Sequence, residues 1–267
     1  QMIAGPKTPP ELTVQVTTRE QVTDELLRCQ PAALYIPLHL LTADPEWCRK
    51  LARRGNVCAV LPRILHDGEL PQVQEALKVL RALGVKEVLA GNLGMLLTAR
   101  QCGMHVRGDY GLNIYNSGAV DMTRKLEFAS TMLSFEMTMP QIRDISKPIP
   151  TELLVFGRLP LMLTENCIVH NHSGQHTCEN VNLLVDRKGE RFPVVKAFGC
   201  RNEILNSKKL FLADKAGDYA KLGLWGARLM FTTESAIECV SVLERYLGMG
   251  NFTPNEYTRG LYYRDVE

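Results

Sequence analysis

Apolar and polar positions follow a repeating rhythm along the chain. A short apolar run is followed by a longer segment whose apolar residues recur every three or four positions. Short β-branched or aliphatic runs read as strands, and the longer spacing reads as amphipathic helix. The predicted strands are 12–16 (LTVQV), 33–37 (ALYIP), 57–63 (VCAVLPR), 87–92 (EVLAGN), 110–116 (YGLNIYN), 131–137 (TMLSFEM), 151–157 (TELLVFG) and 228–232 (RLMFT). All but the seventh lead into helical patterns: TREQVTDELLRC, DPEWCRKLARRG, LPQVQEALKVLRALG, LGMLLTARQCG, SGAVDMTRKLEFA, TMPQIRDIS and TESAIECVSVLERYLG. Helix starts carry Ser, Thr or Asp, and Gly55, Gly84, Gly103 and Gly248 stand at helix ends, as capping requires.

Several strands lack the in–out alternation of a half-solvated sheet, which points to parallel strands covered on both faces. Eight strand–helix units in a chain of 267 residues predict an α/β fold, a (β/α)8 TIM-like barrel. An open doubly wound sheet is the alternative, weakened because no G-x-G-x-x-G follows the first strand. The rhythm breaks over 158–227, where VNLLVDRKGERFPVVKAFGC (181–200) reads as a β-hairpin inserted between strands seven and eight. The organisation expected is a leader (1–11), the barrel (12–248) and a C-terminal tail (249–267). Pairing Asp186 near Arg191 in the hairpin puts Cys178 and Cys200 side by side at its open end. Cys239 falls one to two turns into the last helix, near the C-terminal face from which the insertion departs.

Composition changes this picture little. Apolar content of 45%, charged content of 22% and a net charge of +2 suit a soluble globular protein and do not announce nucleic-acid binding. No apolar run reaches the roughly 18 residues of a membrane span, and no signal peptide is read at the start, so no membrane partner and a cytoplasmic location are expected. The chain begins with Gln1, followed by the Pro-rich GPKTPPE (5–11), which fits a piece of a longer chain with further domains. Nothing in the pattern fixes an oligomeric state.

Cys29, Cys48, Cys58 and Cys102 occupy helix and strand patterns as ordinary buried thiols. The remaining four, Cys167, Cys178, Cys200 and Cys239, fall in the last part of the chain, and the first two bracket His170, His172 and His176 within ENCIVHNHSGQHTCEN (165–180). Four thiolates complete a [4Fe–4S] cluster. Cys167 and Cys178 with two of His170, His172 and His176 could instead supply a zinc tetrahedron. A polar loop with solvated histidines and no metal is the third reading, and residue types alone leave the three open.

The stretches TELLVFGRLPLMLTENC, FGCRNEILNSKKLFLAD, RLMFTTES, GDYGLNIYNSGAVD, LSFEMTMPQI and YTRGLYYRDVE resemble peptidase family U32, the collagenase-like proteases. Its relatives also act in oxygen-independent hydroxylation of RNA bases and ubiquinone precursors. The resemblance covers most of the chain. It implies a barrel and a [4Fe–4S] cluster on Cys167, Cys178, Cys200 and Cys239. It departs from the family's peptidase signature: Glu152 and Gly157 fit, but Leu154 holds an aromatic position and Arg158-Leu159-Pro160 replaces a small residue, an aliphatic and a cysteine. A divergent branch is implied.

Catalytic groups of such barrels sit at the C-terminal ends of strands. Those ends give Arg63, Asn92, Asn113, Asn116, Glu136, Arg158, Thr232 and Thr233. Glu136, Arg158, Asn113 and Arg63 form the candidate catalytic set, a carboxylate between two guanidiniums that match an anion's geometry. Each has a plainer reading: an Arg158–Glu136 ion pair, asparagines that fix loop backbone, and Thr233 as a helix cap. Three functions follow as expectations. The first is an iron–sulfur-dependent modification enzyme or accessory acting on RNA or a small anionic substrate. The second is a peptide hydrolase using the Cys167 thiolate or zinc-bound water, and the third a non-catalytic module binding RNA or a partner.

Overall fold

Seven short strands pair in chain order, each parallel to the last: β1 (Glu11–Gln15), β2 (Leu34–Pro37), β3 (Val57–Val60), β4 (Glu87–Ala90), β5 (His105–Gly108), β6 (Ser130–Met132) and β7 (Thr151–Thr164). The computed structural model describes residues 2–175, 177 and 180–264. An antiparallel excursion follows through β8 (Asn182–Val185), β9 (Arg191–Lys196) and β10 (Asn202–Phe211). Then β11 (Gly226–Met230) inserts between β7 and β1, parallel to both, and closes an eight-stranded barrel. A two-residue strand, β12 (Tyr257–Thr258), adds to β10.

The outer layer is α1 (Asp24–Arg28), α2 (Leu38–Ala43), α3 (Pro45–Arg54), α4 (Leu70–Ala82), α5 (Met95–Gln101), α6 (Ser117–Lys125) and α7 (Met139–Asp144). α8 (Ile168–Ser173) and α9 (Ala216–Tyr219) belong to the insertion, and α10 (Ala236–Tyr246) covers β11. Local chemistry sets these bounds. Asp44 accepts the Trp47 amide at 3.0 Å with Pro45 at the first helical position, which starts α3. Val73, Leu77 and Leu80 of α4 are fully buried at the spacing that puts one helix stripe on the barrel. Among the described residues, no helix is long and apolar enough to cross a membrane.

The structure corrects the sequence reading in four places. Strand five is His105–Gly108 rather than 110–116, which instead holds a 3-10 turn at Tyr110–Leu112 and an isolated bridge at Ile114. The first helical segment is a 3-10 turn at Arg19–Gln21 and the short α1. The hairpin exists, but Val185 rather than Asp186 faces Arg191. Strand seven does not stop at Gly157; it runs on to Thr164 and pairs antiparallel with β10, from Phe156–Phe211 to Thr164–Asn202. The insertion is therefore a sheet, β7–β10–β9–β8, growing out of the barrel wall.

Gly157 makes that continuation possible. Its φ is +134°, and a Cβ there would lie 2.3 Å from the Met230 carbonyl oxygen on β11, so only glycine lets the two backbones meet.

Barrel interiors of this kind are usually filled with branched aliphatic side chains. Here they are charged. Arg228 on β11 is fully buried. It donates to Glu152 at 2.8 Å from Nε, to Asp109 at 2.6 Å and to Gln15 at 3.2 Å. Its guanidinium lies 4.2 Å from the centre of the Tyr35 ring, and the Tyr35 hydroxyl bonds Glu152 in turn. Lower in the barrel, Arg107 holds both oxygens of Glu87 at 2.8 and 3.0 Å and Ser130 at 2.9 Å. Buried charges persist only when paired in this way. Gly226 makes room for the arrangement, since a Cβ there would sit 2.8 Å from Glu152 Cγ.

Candidate functional site

The turn between β9 and β10 and the first residues of β10 reach over the C-terminal ends of the strands and line a half-open cavity of about 170 Å³ at the barrel mouth. Its charged lining is Arg63, Lys196 and Arg201 against Asp109 and Glu203, with His39 and Tyr110 beside them. Arg63 follows β3, Asp109 and Tyr110 follow β5, and Glu203 comes from β10. Two glycines bring these loops together: a Cβ on Gly111 would lie 2.4 Å from the Gly91 oxygen, and one on Gly91 would meet Arg63 Cγ at 3.0 Å.

Arg63 Nη1 donates to Glu203 Oε1 at 3.0 Å and to the Tyr110 hydroxyl at 3.2 Å. The Tyr110 hydroxyl donates to the same Oε1 at 3.1 Å, and the Arg63 guanidinium stacks 4.8 Å from the Tyr110 ring centre. Burial pushes the Glu203 carboxyl above its usual range. Arg63 and the Tyr110 hydrogen bond pull it down, while Asp109 raises it further. Burial also raises the Tyr110 hydroxyl well above its ordinary value. A carboxyl so displaced can exchange a proton nearer neutral pH than an ordinary glutamate.

Three of the four catalytic residues predicted from sequence converge. Arg63, Asn113 and Glu136 line a second depression of about 250 Å³ beside the mouth, with Tyr110 and Ser134. Glu136 is exposed there. Arg158 stands apart and makes no pair with Glu136: it donates to Thr233 Oγ1 at 3.3 Å and to the Asn206 carbonyl at 2.9 Å, bracing the irregular middle of β10. Asn116 caps α6, accepting the Ala119 amide at 2.9 Å, and Asn92 donates to the Arg63 carbonyl at 3.2 Å. Ser235, not Thr233, caps α10, and the backbone N–H of Thr232 donates to Glu234 at 2.6 Å.

Glu203, Tyr110 and Asp109 were not among the predicted residues. The available signal was GDYG at 108–111; Glu203 gave none, because it reaches Arg63 across 140 positions.

Of the three described cysteines in the expected ligand set, two lie at one end of the insertion and Cys239 lies elsewhere. Cys167 caps α8, its Sγ accepting the His170 amide at 3.4 Å. The Ile168 amide bonds Asn202 at 2.8 Å, which places Cys167 and Cys200 at the same end of the insertion. Cys239 does not join them. It lies beside Glu238, and Lys209, which is paired to Glu234 and Glu238, faces Arg158 in the β7–β10 ladder. The Thr164–Asn202 end is six β7 residues further along, about 20 Å at strand rise. Cys239 is 1% exposed in the apolar core, and burial, then Glu234 and Glu238, push its thiol up to about 12.

Cys178 and His176 lie outside the described residues. His170 and His172 stand in helix α8 rather than in an extended run, about 200° apart around its axis. Among the described residues no three His, Cys, Asp or Glu side chains group to hold a metal ion. Cys239 thus stands apart from Cys167 and Cys200, and no chemical step is derived through a cluster.

No curated protein matches the sequence. Among solved structures, the U32 peptidase Mk0906 matches with a TM-score of 0.50 at 8% identity, over 85% of this chain and 95% of that one. A mutant tryptophan synthase α-subunit from Pyrococcus furiosus matches with a TM-score of 0.51 at 11% identity, over 90% of this chain and 99% of that one. At such identities the likeness concerns the barrel fold alone. The family model for peptidase family U32 matches residues 47–180, half of the chain. That stretch carries β3 to β7, Arg63, Asp109 and Tyr110, and by this match the chain belongs to peptidase family U32.

Proposed function

We propose that the barrel mouth binds a small anionic substrate, or one anionic group of a larger one, and that Glu203 exchanges a proton with it. The observation that carries this reading is the lining of the 170 Å³ cavity: Arg63 and Lys196, backed by Arg201 where it binds Glu69 and Glu165, around the half-buried Glu203 carboxyl, which desolvation raises above its usual range. Guanidinium groups fit carboxylate or phosphate oxygens two at a time, and a desolvated acid beside them is the usual partner for proton transfer.

Size supports modification over peptide cleavage. Drug-sized ligands need about 300–1,000 Å³, so this cavity suits a single base, side chain or small acid rather than a length of polypeptide. An activated nucleophile is needed for peptide hydrolysis without a metal, and Cys167 spends its sulfur on the His170 amide at the far end of the insertion.

Titration with inorganic phosphate, malonate and a nucleoside 5′-monophosphate, followed by calorimetry, tests the reading. Saturable binding by wild type and its loss in Arg63→Met is expected. Hydrolysis of a fluorogenic peptide by wild type, abolished in Glu203→Gln and without binding of any small anion, would overturn it.

A further inference from the structure

We propose that the N-terminal end of the barrel, opposite the mouth, carries a second binding site, which takes a small neutral molecule with an apolar body and one hydrogen-bond acceptor. The site is a half-open cleft of about 550 Å³ between the start of β1, the turn from α1 to β2, α9 and the C-terminal half of α10.

Small side chains leave the room. Ala32 and Ala227 line the cleft from the barrel wall, and Ala216 and Ala220 from the α9 segment, where larger aliphatic side chains would close it. Leu12, Leu243 and the Tyr246 ring supply apolar surface. Sites for small molecules are built this way, mostly apolar, about 300–1,000 Å³ in volume, with few polar groups to orient the ligand.

One buried polar group in the cleft is left to serve a ligand. Tyr219 on α9 is 5% exposed, and its hydroxyl has no hydrogen-bond partner among the described residues. A buried tyrosine hydroxyl usually finds one. Burial alone pushes this hydroxyl up to about 12, so it keeps its proton and is a donor. Tyr246, lining the same cleft, shows the contrast. Its hydroxyl accepts the Leu212 amide at 2.9 Å and donates to the Val155 carbonyl at 2.6 Å, so its donor is spent. The Glu11 and Ala32 amides are spent as well, on the Trp225 and Leu12 carbonyls at 2.9 Å, and Pro9, Pro10 and Pro31 have no N–H to give.

Charge decides the class of ligand. No cation lines the cleft among the described residues, so a desolvated anion there would lack a counter-charge. Glu11, the one carboxylate in the lining, is exposed at its edge and gives a buried cation no partner either. The mouth, with Arg63 and Lys196, is built for the opposite kind of molecule. In barrels of this kind the N-terminal face serves stability rather than catalysis, so the occupant adds packing there and does not react.

The test uses prodan, a neutral naphthyl ketone whose fluorescence shifts to the blue in apolar surroundings. Saturable binding of one molecule per chain is expected. Tyr219→Phe keeps the ring and removes the donor, so it should weaken binding about 2- to 10-fold, the worth of a single hydrogen bond. Ala220→Trp fills the cleft and should abolish binding. Acetylnaphthalene should displace prodan, and naphthoate, the same ring system bearing a carboxylate, should not. The proposal is overturned by any of four results: no saturable binding, unchanged affinity in Tyr219→Phe, full binding by a folded Ala220→Trp protein, or displacement by naphthoate as readily as by the ketone. Should Ala220→Trp not fold, Cys29 decides, because its half-buried thiol lines the same cleft. Saturating prodan should slow alkylation of Cys29 by N-ethylmaleimide, read by peptide mass, and unslowed alkylation overturns the site.

Discussion

Arg201 donates to both oxygens of Glu69, 132 positions away, at 2.9 and 3.1 Å. The same guanidinium holds both oxygens of Glu165 at 2.9 Å, and His66 Nε2 meets Glu165 Oε1 at 2.8 Å. These contacts tie the outer end of β7 and the start of β10 to the loop that precedes α4. The roof is anchored at two edges: covalently through β7 and electrostatically through Arg201.

Arg201→Met removes the second anchor. Charge-assisted hydrogen bonds of this kind contribute about 1.5–3 kcal/mol, so amide exchange across β8 and β9 should quicken at least about tenfold while the barrel strands keep their protection. Unchanged exchange in β9 would show that the anchor is ornamental. Acid should act similarly. The hydrogen bonds from Arg201, then His66, hold Glu165 at about 2 against an ordinary 4.5. A depressed folded-state pKa contributes stability that is present above 4.5 and fades as pH falls towards 2. Hairpin protection should decline in that window.

Gly157→Ala should be among the most damaging single changes. The added Cβ would lie 2.3 Å from a backbone oxygen of β11, at a φ of +134°, so neither side-chain motion nor rotamer choice relieves it. A loss of about 3 kcal/mol or more is expected, read by urea denaturation. Wild-type stability would mean that β7 and β11 do not close the barrel at this point.

Arg228→Met leaves Glu152 and Asp109 buried without their common cation, which should cost about 3–5 kcal/mol. Adding Glu152→Gln and Asp109→Asn should recover most of that, because the penalty lies in the orphaned charges rather than in the missing contact. Urea midpoints of the single and triple variants give the comparison.

Cys239→Ala should cost about 1 kcal/mol through lost packing in α10 and leave the iron and zinc content of an anaerobic preparation unchanged. Metal stripped by this substitution would return Cys239 to a ligand set despite its burial among Val242 and Leu243.

The legible part of the fold is the part with a local cause. Strands one to four and α3, α4 and α10 combine an apolar run, a cap and a stripe within a dozen residues. Strand five was misplaced because HVRG turns a guanidinium inward; Arg107 inside the barrel looks, in sequence, like a solvated position. Tyr35, Glu152 and Arg228 were hidden for the same reason. At the mouth, Arg63 was legible as the end of a strand, and Asn113 and Glu136 as its neighbours. Glu203 was not, since its role depends on β10 folding back over the barrel. Cys239 was placed on the right helix, but a helix pattern does not say that this thiol packs inward beside Val242 rather than towards the insertion.

β7 is wall for its first half and ceiling for its second, and one becomes the other at Phe156, which pairs with β11 on one side and β10 on the other. A cover built this way has no hinge at its root: tilting it means bending the staves of the cask itself. Entry to the chamber therefore falls to the free rim, where the hairpin tip and the contacts of Arg201 with Glu69 can part while the shared strand stays still.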